Sequence, residues 1–274
     1  VRISRAEAVL NYVLLGVFAV AALTPLVGVL LAAVTPQGEG RYGFQLPSRI
    51  ALGNFATAWR DGGFSHYLLS SALVVLGVVA LTTVLSVLAG FAFATLRFPG
   101  RRVLFYVFLL GLMVPLESFV IPLYYTLRGW GLTDTYWSLL FPQTAQSLAF
   151  GTFWMRTTFR AFPVSVLEAA RLDGAADRVL LWRILVPSAR PALTTMGLLI
   201  ALWTWNEFLL PLVMISSETW RTAPLGLAFF QGQFTTQTSL LAAAATIIAL
   251  PIVVLYLFLQ RRFIAGMLAG AVKG

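Results

Sequence analysis

Six runs of about 20 apolar residues dominate the chain, at roughly 11–34, 68–92, 103–124, 137–158, 192–215 and 240–260. A run of that length, wound as an α-helix, matches the hydrocarbon thickness of a bilayer, so each predicts a spanning helix. Pro25, Pro115, Pro122, Pro211 and Pro251 fall inside the runs. A membrane helix tolerates proline where neighbouring helices re-satisfy the freed carbonyl.

The most charged stretch between runs is "EAARLDGAADRVLLWRILVP" at 168–187, with Glu168, Arg171, Asp173, Asp177, Arg178 and Arg183. Pro163 can open a helix before it, because its missing N–H costs nothing in a first turn. Val166, Ala169 and Ala170 then fall at helical spacing and form a small, smooth face. Gly174 weakens a helix by about 1 kcal/mol relative to alanine, which predicts a bend or a C-terminal cap. A second helix is expected over roughly 175–186, pairing Leu180 with Ile184 and Leu181 with Leu185, and ended by Pro187 and Pro191. The spacing predicts a helix–bend–helix on the membrane surface, its charges facing water or a partner.

Composition makes lipid the main solvent. Hydrophobic residues are 59% of the 274 and charged residues 11%, against about 25% charged in a soluble domain. The net charge of +9 suggests nucleic acid at first sight. The arginines are instead unevenly shared between alternate loops. Arg2, Arg5, Arg97, Arg101, Arg102, Arg156, Arg160, Arg171, Arg178, Arg183, Arg190, Arg261, Arg262 and Lys273 lie on one side of the spans. Arg41, Arg49, Arg60, Arg128 and Arg221 lie on the other. The excess places the N-terminus (1–10), the 159–191 loop and the tail (261–274) in the cytoplasm, which requires an even number of spans. Arg2 and Arg5 before an apolar run also resemble a secretory signal, but the run is longer than a signal core, and a retained helix is expected.

Several chemistries are excluded. The chain has no cysteine and one histidine, His66, so thiolate and His-pair metal sites are absent. Its one lysine is Lys273, and no G-x-x-x-x-G-K-[ST] occurs, so the chain holds no P-loop. Uphill transport driven by ATP would need hydrolysis in another chain. Ion-coupled transport would call for internal repeats, and none is evident.

Two acids fall in the apolar runs, Glu117 and Glu207. An acid in lipid costs at least about 2.5 kcal/mol, so Glu207 should face protein or water. Trp203, Trp205, Asn206 and Glu207 in "WTWNEFLLP" then have two readings. They line or gate a pathway, or the polar pair bonds a neighbouring helix while the tryptophans pack. For Glu117, near Pro115 and Pro122, pairing with freed backbone is favoured. The 216–239 loop contains "AFFQGQFTTQ", where Gly232 permits a turn between Gln231 and Gln233.

Glu168-Ala169-Ala170, three residues, Gly174, nine residues, Ile184 and Pro187 together resemble the EAA loop of ABC importer permease subunits. Val186 stands where that pattern has leucine. Further segments resemble the MalG-like carbohydrate permeases: "FATLRFPGRR" (93–102), "MVPLESFVIPLYYTLRGWGLTDTYWSLLFP" (113–142), "TWNEF" (204–208) and "LQRRFIAGMLAGAVKG" (259–274). The likeness runs from about residue 54 to the end, with 35–67 less diagnostic.

The resemblance implies an all-α integral membrane protein with six transmembrane helices and a cytoplasmic coupling helix between the fourth and fifth. Glu168, Ala169, Ala170, Arg171, Asp173, Gly174, Ile184 and Pro187 would form the surface that docks on the ATPase. The partners implied are a second permease subunit, two ATPase subunits that bind ATP and Mg, and an external substrate-binding protein. Phe230, Gln231, Gly232 and Gln233 would lie in a loop that reaches the binding protein. Substrate contacts can lie mostly on the partner permease.

The expected function is alternating-access import of a sugar, oligosaccharide or amino sugar, with no cofactor and no catalysis in this chain. Glycerol 3-phosphate or a glycerophosphodiester is the alternative cargo. A polytopic membrane enzyme or anchor is the alternative of another class.

Overall fold

The computed structural model describes residues 4–39, 46–230 and 237–271, with side chains through 260, and twelve helices carry these described residues. They are α1 (Arg5–Ala33), α2 (Gly53–Asp61), α3 (Phe64–Thr95), α4 (Arg101–Leu110), α5 (Val120–Gly129), α6 (Trp137–Arg160), α7 (Val164–Leu172), α8 (Asp177–Ser188), α9 (Arg190–Trp205), α10 (Leu209–Met214), the single turn α11 (Ala223–Gly226) and α12 (Thr238–Ala271). No strand occurs among the described residues. The chain divides into two units, 1–65 with 226–251, and 66–225 with 252–274.

In the first unit, α1 opens with a reciprocal cap. Ser4 Oγ accepts the Glu7 N–H and Glu7 Oε2 accepts the Ser4 N–H, satisfying two donors that a helix start leaves free. Beyond the cap α1 is apolar on every side and exposed, Tyr12 and Phe18 included. Such a helix is stable only against lipid or another chain. Its far end is held by Asn54, which is buried and donates from Nδ2 to the carbonyls of Ala33 (2.9 Å) and Thr35 (2.7 Å).

The second unit is built on α3 and α6. A Cβ on Gly90 would lie 2.6 Å from Met155 Cβ, one on Gly151 2.1 Å from Ser86 Oγ, and one on Gly77 2.8 Å from a Leu140 methyl. Glycine therefore lets the two backbones nearly touch, the device by which helices associate without a hydrophobic drive. The contact pairs 77–140, 86–151 and 90–155 rise together, so α3 and α6 run parallel. The order reverses between α6 and α9: Trp154 Nε1 donates to Ala192 O (3.0 Å), while Phe150 packs edge-on against Trp203. Those helices are antiparallel.

One end of this unit therefore gathers the C-termini of α3 and α6, the N-terminus of α9 and the loop joining α6 to α9. Arg97, Arg101, Arg102, Arg156 and Arg160 lie there, and the loop adds Arg171, Arg178 and Arg183. Arg156 crosses to α3, donating to Phe93 O and resting 3.7 Å from the Phe105 ring centroid. The opposite end is stapled by Asp134, whose Oδ1 accepts the Ser216 and Ser217 N–H groups and the Ser217 hydroxyl. The Ser217 N–H holds the Asp134 carboxyl below its ordinary range.

The sequence expectations hold unevenly. The runs at 11–34, 68–92, 137–158 and 240–260 coincide with α1, α3, α6 and α12. The run at 103–124 is two helices, α4 and α5, separated by a turn and the 3₁₀ segment Leu116–Ser118. Pro115 is extended there (ψ 126°) and cannot continue a helix. The run at 192–215 is also broken, into α9 and α10. Pro211 has no N–H for the Glu207 carbonyl and would clash with it.

The helix expected at 175–186 extends through Pro187 to Ser188. Its 180–185 segment is a π-helix, with the Val186 N–H reaching Leu181 O. That wider spacing accommodates the proline, and a 75° bend separates α8 from α9. Leu181 and Leu185 join the core of the unit, so this element packs into protein.

By length and apolarity, three helices among the described residues can cross a membrane: Arg5–Ala33, Phe64–Thr95 and Thr238–Gln260. Joining α8 and α9 as one bent span would make a fourth. α6 is long enough, but carries Gln143, Thr144, Gln146, Ser147, Thr152 and Arg156.

Candidate functional site

Two places bring the sequence candidates together. The first is the turn after α7. Gly174 has φ +81°, a left-handed conformation that costs glycine nothing. The Ala175 N–H bonds Ala170 O (2.9 Å) and the Gly174 N–H bonds Arg171 O (3.0 Å). These two bonds form the Schellman motif, which closes a helix with backbone alone. Arg171 then pairs with Asp177 across the turn at 3.6 Å, both half-exposed.

The expected bend is therefore present, and α7 packs Leu167 against the core while its other side stays exposed. Glu168, Ala169, Asp173 and Gly174 are exposed, Ala170 is half-buried, and Leu172 is 89% exposed. Ile184 and Pro187 lie half-buried on α8 instead. An exposed alanine face flanked by Val164, Val166 and Leu172 has no covering among the described residues of its own unit.

The second place is the break between α9 and α10. Asn206 closes α9, donating from Nδ2 to Leu202 O at 2.8 Å. Glu207 Oε1 accepts the Leu210 N–H at 3.0 Å and so caps α10. The two side chains bond backbone on either side of the break, as helix ends require. Beside them opens a cavity of about 510 Å³, a size typical of small-molecule sites.

Gly111, Leu112 and Val114 from the break after α4, Gln143, Gln146, Ser147 and Phe150 from α6, and Leu202 to Glu207 except Trp205 line this cavity. Trp203 is 50% exposed, its ring held edge-on by Phe150 at 4.9 Å. Gln143 is 4% exposed, and its Oε1 has no hydrogen-bond partner among the described residues.

Three of the four pathway candidates thus meet here, Trp203, Asn206 and Glu207. Trp205 does not: helical geometry turns it into the core, where it is 7% exposed. Asn206 and Glu207 bond backbone at the two helix ends and also line the cavity.

The α6 residues Gln143, Gln146, Ser147 and Phe150 escaped notice in the sequence. Their signal was a run of polar residues at helical spacing inside an apolar segment. Glu117 is exposed and bonds no freed backbone; the Ser118 and Phe119 N–H groups bond the carbonyls of Pro115 and Leu116 within the turn. Phe230 is buried at 2% and stacks on Phe64. It therefore anchors the start of its loop, while Gln231, Gly232 and Gln233 lie outside the described residues.

The chain is 34% identical to the trehalose transport system permease protein SugB of Mycobacterium tuberculosis, covering 92% of this chain and 93% of that one. It is 31% identical to the diacetylchitobiose uptake system permease protein NgcG of Streptomyces coelicolor, covering 96% and 87%. Its fold matches a bacterial ABC transporter involved in import of the acidic polysaccharide alginate, with a TM-score of 0.80 and 24% identity over 96% of this chain and 99% of that one. The model of the family described as "Binding-protein-dependent transport system inner membrane component" matches residues 83–268. The chain belongs to that family, and is a membrane transport component rather than an enzyme.

Proposed function

We propose that the chain is a permease subunit of an ATP-driven, binding-protein-dependent importer of sugars, oligosaccharides or amino sugars, working by alternating access. The observation that carries this reading is the likeness to trehalose and diacetylchitobiose permeases over more than nine-tenths of the chain. A phosphorylated glycerol derivative is not favoured as cargo.

The mechanism follows from the two places. The free face of α7, with Glu168, Ala169, Ala170, Arg171, Asp173 and Gly174, docks on an ATPase subunit, and Ile184 and Pro187 brace it through α8. Closure of the ATPase pair on ATP moves α7, and α8 transmits the motion to α9 and the break at Asn206 and Glu207. Trp203, Asn206 and Glu207 line half of the path, and a second permease subunit supplies the other half. The 216–239 loop, with Gln231, Gly232 and Gln233, meets the external binding protein.

Six crossings with both termini cytoplasmic fit this assembly. Parallel α3 and α6 demand an odd number of crossings between them, which the broken 101–129 segment supplies. The arginine-rich end of the second unit then faces the cytoplasm.

Affinity purification of the tagged chain from its host in mild detergent tests the assembly. A second permease, a P-loop ATPase and a binding protein should co-purify, and deletion of the chain should abolish uptake of at least one saccharide. Recovery of the chain alone, with saccharide uptake intact in the deletion strain, would overturn the reading.

A further inference from the structure

Resting on the reading of the cavity as part of a saccharide path, we infer that this chain selects against acidic saccharides, with Glu207 as the discriminating residue. Among the described residues, Glu207 is the one ionisable group in the cavity wall, which shows no arginine, lysine or histidine. Oε1 accepts the Leu210 N–H, whereas Oε2 accepts no hydrogen bond from a described residue. An anionic oxygen thus remains for a ligand donor.

Oxygen acceptors stand beside Glu207 on the wall, together with the amide and hydroxyl donors of Gln143, Gln146, Ser147 and Thr204. The Oε1 of buried Gln143 lacks a donor, and a buried acceptor without one is costly until something supplies it. Asn206 gives one Nδ2 hydrogen to Leu202 O, and its side-chain oxygen remains an acceptor beside the second hydrogen. A ligand rich in hydroxyl or ammonium donors satisfies these oxygens. Trp203, held edge-on by Phe150, offers a ring face against which the apolar side of a sugar can lie.

A uronate or phosphate brings acceptor-only charge. It would meet the Glu207 carboxylate with no cation on this wall to offset the repulsion. The end of α10 offers little relief, because Glu207 already holds its Leu210 N–H. The fold likeness to an alginate transporter does not bear on this, since charge preference belongs to side chains.

The test uses the full complex captured on the tagged chain, placed in lipid nanodiscs without the binding protein. Tryptophan fluorescence is titrated with three disaccharides of one skeleton: cellobiose, its diamino analogue, and cellobiouronic acid. Cellobiose and the amino sugar should bind at least about tenfold tighter than the uronate. Glu207→Gln should remove most of that ratio by tightening uronate binding, and Trp203→Phe should remove most of the signal.

Equal affinities in the native complex, or a ratio unmoved by Glu207→Gln, would overturn the inference and leave the saccharide path standing. Binding of none of the three, with saccharide uptake still dependent on the chain, would overturn the cavity as the site. Binding of none, with no uptake defect in the deletion strain, would overturn the importer reading as well.

Discussion

Two interruptions of the helices, the turn after α7 and the break between α9 and α10, are solved differently. After α7 the backbone does all the work. Glycine takes the left-handed conformation, two main-chain bonds close the helix, and no side chain is needed to cap α7. Between α9 and α10 the side chains do the work, with Asn206 closing one helix and Glu207 opening the next. A docking surface needs side chains free to meet a partner. A break between two helices leaves backbone groups without intrahelical partners, and polar side chains there can satisfy them.

The largest expected effect breaks the first arrangement. Gly174→Val forces a β-branched residue into φ +81°, a cost of about 1–2 kcal/mol or more. ATPase co-purification and uptake should fall below about a tenth of normal, because a docking helix set at the wrong angle loses its contacts together. Gly174→Asn should keep most of both, since asparagine tolerates the left-handed region. If valine were as well tolerated as asparagine, the turn would not be what sets the docking angle.

The next effect falls on the second arrangement. Glu207→Ala removes a cap, worth about 0.5–2 kcal/mol, and thermal melting of the purified complex should drop by a few degrees. Glu207→Gln keeps an acceptor oxygen and should melt close to the native complex. Equal losses for both variants would mean that charge rather than capping holds α10.

Asn206→Ala should cost less than Glu207→Ala. It ends a helix whose last turn is already bonded by backbone, the Asn206 N–H reaching Leu202 O and the Glu207 N–H reaching Thr204 O. The same melting measurement ranks the two, and the reverse order would place the main support of the break on α9.

The smallest effect sharpens the first region. Arg171→Gln removes a half-exposed ion pair across the turn, and such pairs contribute about 0–1 kcal/mol. Melting should not change measurably. If co-purification of the ATPase fell while melting held, Arg171 would contact the partner directly.

Much of this was legible in the pattern of residues. The runs that became α1, α3, α6 and α12 needed only length and apolarity, which lipid imposes on any crossing. Gly174 could be read as a turn because glycine takes the left-handed conformation without the strain that most residues incur. Glu207 stood out because an acid in an apolar run requires a reason.

Tertiary structure alone decided the remainder. The breaks at 111–119 and 206–208 depend on whether neighbours can re-satisfy a proline's freed carbonyl, and a linear sequence does not show its neighbours. Pro187 was read as an end, yet α8 absorbs it by π-turn bonding while Leu181 and Leu185 bury in the core. Trp203 and Trp205 look alike in sequence, but only the first reaches the cavity.

The α6 wall of Gln143, Gln146 and Ser147 emerged only when glycines brought α3 and α6 into backbone contact and set the rotation of α6. Composition and spacing determine that this chain lives in lipid and that it turns at Gly174. Which polar side chains share one cavity is decided by helix packing, because close approach at a few small residues fixes what every other position on the helix faces.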